Sequence, residues 1–320
     1  LVGLFSATDV FWSFEERAIG IAMGLNPTPK KFCDLNVIEF TGDDYQHFGG
    51  RISREQSAVL VDALSKAGVG VIGFDISYSV PDYKGPAVDA RFEQALANHR
   101  RIVTGVSVYD GASDPAAAAF PSQWTLPSGP TPALKVQRFV APVGRIGDIG
   151  GLGAFSLGEG GSGVLRTVYP LVEANGQRVP TLGLAMWLIA HDLPLSAIEQ
   201  QPRRLRLPGL DVPVSPTGET PYAWKERFRR WTLLQVYDRI DPATGTLDDE
   251  VARLFWGKHV FIGSAWDAVA DTGPVATGVN RPLVEAHAQF FCDLLDGRPM
   301  RDASRWLGLF TSLLAGLLLS

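Results

Sequence analysis

The sequence predicts an α/β fold: a mixed, largely parallel sheet flanked by helices, with irregular insertions and the start of a transmembrane helix at its C-terminal end. Three observations carry this. Short apolar runs suited to buried strands alternate with amphipathic helical stretches through the first third of the chain, and such succession builds a parallel sheet covered by helices. A long Pro-, Ser-, Gly- and Ala-rich stretch then interrupts the alternation. Residues 306–319 close the chain with an apolar run that carries no charge.

Leu35–Phe40 (LNVIEF) reads as a buried strand. The polar stretch 41–50 leads to a helix over 54–67, with Leu60, Ala63, Leu64 and Ala67 on one face and Gly68 as its stop signal. Residues 69–78 (VGVIGFDISY) form a second buried strand, broken by Pro81. A helix over 89–98 turns Phe92, Ala95 and Leu96 inward, and 102–108 is a third strand. Residues 110–142 read as a long connection outside the sheet. Strand material follows at 163–172, a turn at Gly176-Gln177, and a core helix opened by Pro180, whose apolar LGLAMWLIA is too short to cross a membrane. Residues 192–257 are irregular and charged, with a helix near 224–231. A buried strand at 259–262 and a helix over Leu283–Leu295 complete the series.

The chain of 320 residues is 46% hydrophobic, enough for a substantial core, and its net charge of −5 argues against a nucleic-acid surface. Its two cysteines, Cys33 and Cys292, are too few and too far apart for a zinc cluster. They can pair as one disulfide in an oxidising compartment or remain two buried thiols.

Both ends carry a membrane signal. The run WLGLFTSLLAGLLL at 306–319 is apolar all round, Arg305 and Trp306 stand where interfacial anchors belong, and Gly308, Ser312 and Gly316 repeat the small-xxx-small spacing of packed membrane helices. The run is short for a full span, so it reads as a spanning helix cut midway. The amino end, LVGLF, reads as the tail of an earlier one. The organisation expected is a juxtamembrane segment at 1–33, a folded domain at 34–300 and the start of a membrane helix at 305–320. Arg298, Arg301 and Arg305 on the domain side run against the positive-inside tendency for an exterior domain.

Catalytic motifs are absent from the sequence. Gly158, Gly160 and Gly163 satisfy G-x-G-x-x-G, but VLRTVYPL follows, a strand pattern where a dinucleotide site needs a helix N-terminus. The five histidines show no paired metal spacing, and no base–nucleophile pair stands out. Neither a metal nor a cofactor is expected.

Asp75 interrupts an apolar strand near the end where α/β sheets bind ligands, so it either contacts a ligand or caps the turn beyond it. Asp271, in GSAWDAVADTGP, stands where it could complete the same end. His287 falls on the apolar stripe of the last helix with Leu283, Phe290 and Leu294, the setting of a core histidine, and Glu285 lies two residues earlier on the same helix.

Several runs together resemble one family, the CHASE2 extracellular sensor domain of bacterial signal-transduction receptors. GVGVIGFDISYSVPD (68–82) is similar to the family's strand ending in Asp, and Arg54 matches its basic residue at the preceding helix start. GSGVLRTVYPLV (161–172) resembles its Gly-Val-Arg/Pro-Leu hairpin, with Gly163, Arg166 and Pro170 at matching points. In 257–299, Gly263, Asp271, Pro274, Glu285, His287 and Gly297 fall on the family's characteristic residues. The first strand lacks the usual terminal aspartate, offering Asp43 and Asp44 instead, Ser162 replaces an acid, and 221–256 departs from the family's tyrosine-containing strand.

The resemblance implies a non-catalytic extracytoplasmic domain at a bacterial inner membrane. The signal would be an unassigned small molecule or protein, relayed to a cyclase, kinase or phosphodiesterase output. Its ligand-binding set would be Asp75, Arg54, Arg166, Asp271 and His287. The partners expected are the membrane and either copies of the chain or other subunits of a membrane complex. The competing reading is a structural or interaction subunit of such a complex.

Overall fold

The computed structural model describes residues 32–109, 120, 122–155, 157–158, 165–222, 224, 227–266, 272–275, 279–297 and 299. The apolar runs at 1–5 and 306–319 lie outside these residues, as do Asp271 and the glycine-rich turn at 160–164. Among the described residues, no helix is long and apolar enough to cross a membrane.

Among the described residues the core is a sheet of seven strands. Strands β1 (Leu35–Phe40), β2 (Ile72–Ser77) and β3 (Ile102–Tyr109) come from the predicted alternation. β4 (Arg138–Val140) and β5 (Gly151–Ala154) follow, then β6 (Leu171–Ala174) and β7 (Gln177–Pro180), which build a separate hairpin, and finally β8 (Arg229–Thr232) and β9 (His259–Ser264). The main sheet runs β8-β1-β9-β2-β3-β4, with β5 also pairing β3. Every pairing in it is parallel except β3–β4, so its orientation is mixed.

Helices cover both faces. On one lie α1 (Gly42–His47), α2 (Arg54–Lys66), α3 (Pro86–His99), α5 (Leu233–Tyr237) and α6 (Asp249–Phe255), whose apolar side chains pack on Ile38, Ile72, Phe74, Val260 and Ile262. On the other lie α4 (Leu182–Ala190) and α7 (Leu283–Leu295), packed on Leu35, Val37, Val71, Val103 and Phe261. Alternation of side chains along each strand divides the two sets. Phe290, Phe291 and Leu294 of α7 are buried, each contributing roughly 1.5–3 kcal/mol.

Local chemistry sets the boundaries. α2 opens on a capping box: the Ser53 backbone N–H donates to Gln56 Oε1 at 3.0 Å while the Ser53 hydroxyl accepts from Glu55 N at 3.1 Å. It ends at Gly68, which has a positive φ of 76°. The close seating of α7 depends on Gly263, where an added Cβ would lie 2.5 Å from Val284 Cβ. A methyl group on Gly73 would likewise overlap the Met186 sulfur of α4.

Several expectations are corrected. Residues 138–140, placed in a connection outside the sheet, add an antiparallel strand to its edge. The strand expected over 163–172 is divided around Pro170 into Thr167–Val168 and β6. Pro180 ends β7, and Thr181 stands at the N-cap of α4. The region 192–257 holds a three-stranded antiparallel sheet, Glu199–Gln201, Arg204–Leu207 and Leu210–Pro213, besides two helices. The helix expected near 224–231 is not seen among the described residues there: Arg229–Thr232 is the edge strand β8, paired in parallel with β1. Its exposed arginines carry no periodic pattern, and pairing with β1 overrides local preference.

Candidate functional site

The carboxyl ends of the parallel strands converge on one row of residues. Register places Thr232 of β8 beside Glu39 of β1, Glu39 beside Gly263 of β9, and Gly263 beside Asp75 of β2. Residues paired in this way share a sheet face. Here it is the face that carries α7, because Val284 sits on Gly263.

The first turn of α7 brings Glu285 onto Glu39, and the two carboxyls share a hydrogen bond. Glu285 is only 2% exposed. Two guanidiniums approach it: Arg230 Nη1 of β8 donates to Glu285 Oε1 at 3.3 Å, and Arg281 Nη1 stands 3.9 Å from the same oxygen. Burial, followed by the neighbouring Glu285 carboxyl, pushes Glu39 up to about 8, while the arginines act against the rise. Glu39 therefore holds a proton at neutral pH.

Beside this pair lies a cavity of about 490 Å³ lined by Phe32, Glu39, Phe228, Arg230, Trp231, Thr232, Gln235 and Glu285. That volume lies within the roughly 300–1,000 Å³ range of small-molecule sites. Glu285 forms its floor. Arg230, whose side chain is 41% exposed, and Phe32 stand at its mouth.

Two devices hold the walls. The Asp44 carboxyl accepts from the Thr41 N–H at 2.6 Å and from the Leu234 N–H at 2.8 Å, tying the end of β1 to α5. Asp44 is thus consumed by capping. On the other side Cys33 and Cys292 form a disulfide, with Cα atoms 5.8 Å apart, joining the residues before β1 to the last turn of α7. The buried Arg227 reinforces that junction: its carbonyl accepts from Cys33 N at 2.7 Å, its Nη1 donates to Asp293 Oδ1 at 2.9 Å, and its Nη2 pairs with Asp296. Phe32 and Phe228, the chain neighbours of Cys33 and Arg227, are held at the cavity by this junction.

The residues singled out from sequence do not form one group. Asp75 lies buried at the end of the row described above. Arg54 opens α2 beyond the opposite face. It pairs with Asp89, donates to the carbonyls of Tyr78 and Val80, and lies over the Tyr78 ring with its guanidinium carbon 5.2 Å from the centroid. These contacts fasten the turn after β2 to α2 and α3. Arg166 is half-buried beside Leu165, which bridges to Val275, and its carbonyl accepts from Tyr222 N. His287 is 1% exposed, and burial pulls it down to about 3, so it stays neutral. Asp271 lies outside the described residues.

Sequence reasoning missed Glu39, Arg230 and Arg281. One signal was present: Glu39 interrupts LNVIEF at the penultimate position, much as Asp75 interrupts its own strand. Asp75 drew attention by that same signal, whereas Glu39 was read only as part of a buried apolar strand.

A family model described as the CHASE2 domain matches residues 1–320, the whole chain. The chain belongs to the CHASE2 family. CHASE2 domains are extracellular sensory domains of signalling receptors and are not catalytic, which fits a cavity built from paired charges and aromatic rings. Comparison with curated proteins and with solved structures returned no match. The CHASE2 match spans the described α/β unit and the apolar runs at both ends.

Proposed function

We propose that this CHASE2 chain is the extracytoplasmic sensing part of a membrane-anchored receptor, and that its signal is a small molecule bound in the cavity between β1, β8 and α7. One observation carries the reading: the cavity floor is Glu285 of α7, the helix that precedes the apolar run at 306–319 in the chain. A ligand shifts a receptor only by binding its two states unequally. A ligand on Glu285 acts on the first turn of α7 and so biases the position of the whole helix. The run at 306–319 would carry that bias across the inner membrane to an output module.

The test is thermal stabilisation of the disulfide-intact chain by a metabolite library, repeated with Glu39→Gln and Glu285→Gln. Stabilisers whose effect disappears in both variants support the cavity. Stabilisers that act equally on both variants place the signal elsewhere and overturn the reading. A fusion of alkaline phosphatase after Arg305 tests the topology: high activity supports an extracytoplasmic domain, and low activity refutes it.

A further inference from the structure

We infer that the amino edge of the main sheet rests on the lipid bilayer, with the indole of Trp256 inserted at the level of the lipid headgroups. This rests on the membrane-anchored reading above and adds the surface by which the folded domain meets lipid.

Chain direction defines the edge. Strands β1, β2, β3, β8 and β9 are parallel, so the segments that enter them lie at one end of the sheet. Backbone hydrogen bonds tie those segments together. Gly257 N donates to Gly68 O at 3.0 Å, Gly70 N to Lys258 O at 2.7 Å and His259 N to Asp34 O at 2.9 Å. Helix α7 returns to the same end. Its first turn meets Glu39 near the carboxyl end of β1, and Cys292 in its last turn is bonded to Cys33, just before β1.

The folded unit is therefore entered at Phe32 and left at Gly297 on one side. The apolar run at 306–319 begins nine residues after Gly297, a reach of about 30 Å at full extension. The carboxyl edge, where the cavity acids lie, is roughly 20 Å farther along the strands. A bilayer holding that run thus has the amino edge as its nearest part of the domain.

This edge carries the two most exposed aromatic side chains among the described residues, Trp256 at 73% and Phe32 at 63%. Tyr83, near the opposite edge, is less exposed and lies beneath the Arg51 guanidinium. Single exposed apolar groups are ordinary on protein surfaces, so position and rigidity decide here. Phe32 adjoins the disulfide at the point of entry. Trp256 joins α6 to β9 and is fixed from both sides: its N–H donates to Ala252 O at 2.9 Å, and the next N–H holds Gly68. The indole lies across Gly68, where an added Cβ would come within 2.8 Å of its Cδ1. The fold thus holds a large ring outward on a rigid turn. Tryptophan, with an apolar body and one N–H donor, is enriched where membrane meets water. Lys66 and Arg100, exposed at the ends of α2 and α3 on the same edge, suit the phosphates of the headgroups.

The test is photo-crosslinking of the disulfide-intact full chain, reconstituted in vesicles of phosphatidylethanolamine and phosphatidylglycerol. Benzoylphenylalanine is placed at Trp256 in one sample and at Tyr83 in another, and adducts are identified by mass. Lipid adducts at position 256 should exceed those at position 83 at least tenfold. In the otherwise unaltered chain, brominated lipid should quench tryptophan fluorescence less after Trp256→Phe. Equal lipid adducts at the two positions, or quenching unchanged by Trp256→Phe, in a chain that floats with the vesicles overturns the inference and leaves the anchored reading standing. Adducts at position 256 to a second copy of the chain in place of lipid overturn it in favour of a protein contact. A chain that does not float with the vesicles overturns both readings.

Discussion

Glu39 and Glu285 meet across the seam between strand β1 and helix α7, and a hydrogen bond joins their carboxyls on the floor of a cavity. Two acids in contact at a largely buried seam cannot both ionise at neutral pH without large cost, so one proton belongs to the pair. The seam is therefore sensitive to whatever takes that proton's place.

Stability should follow the proton. Glu39 ordinarily titrates near 4.5 and is raised to about 8 in the folded chain. Between those values the folded state holds a proton that the unfolded state has lost, so stability falls as pH rises from about 4.5 to about 8 and levels off above. Glu39→Gln removes this slope. Its melting temperature should exceed the parent's at pH 9, with the difference shrinking towards pH 4.5. A difference that stays constant with pH would refute the shared proton.

The seating of α7 should fail on one added methyl group. Gly263→Ala places a Cβ 2.5 Å from Val284 Cβ, and overpacking of this kind costs about 1–3 kcal/mol. Thermal denaturation should show that loss, and Val284→Ala in the same chain should restore part of it. Failure of the second change to restore stability would mean that the clash is relieved elsewhere.

Reduction should loosen the cavity as well as the chain. The Cys33–Cys292 bridge closes a separation of 259 residues, for which the chain-entropy treatment gives up to about 5 kcal/mol of stabilisation. Cys33→Ser with Cys292→Ser should lower denaturant resistance. It should also raise hydrogen exchange in the segment around Arg227 and in the last turn of α7, because Arg227 is pinned to Cys33, Asp293 and Asp296. Unchanged exchange there would show that the Arg227 contacts hold the junction alone.

Arg54 should prove to be a fastener. Arg54→Met leaves the buried end of Asp89 and the carbonyls of Tyr78 and Val80 without their donor, and breaking a buried pair costs about 3 kcal/mol or more. The melting temperature should fall while ligand affinity at the Glu39–Glu285 cavity stays within twofold. A selective loss of affinity at unchanged stability would return Arg54 to the ligand-binding set.

What was legible in the sequence follows pattern strength. Leu35–Phe40 and Leu283–Leu295 appear in the structure with the bounds expected of them, because each is a strongly apolar run whose period leaves one choice. Arg229–Thr232 was hidden for the opposite reason. A polar edge strand has no period of its own, and it exists because β1 offers hydrogen bonds to it.

The sequence by itself determined the alternation of strands and helices, the apolar faces that fill the core, and, through its ordered motifs, the CHASE2 family. Tertiary structure alone decided the site. Glu39, Arg230, Arg281 and Glu285 come from elements scattered over most of the chain, and their chemistry arises from mutual contact around a largely buried carboxyl pair. A carboxyl is an ordinary acid until another is buried against it. Local sequence sets the type of each side chain, and only the closed fold sets which charges are forced to share one proton.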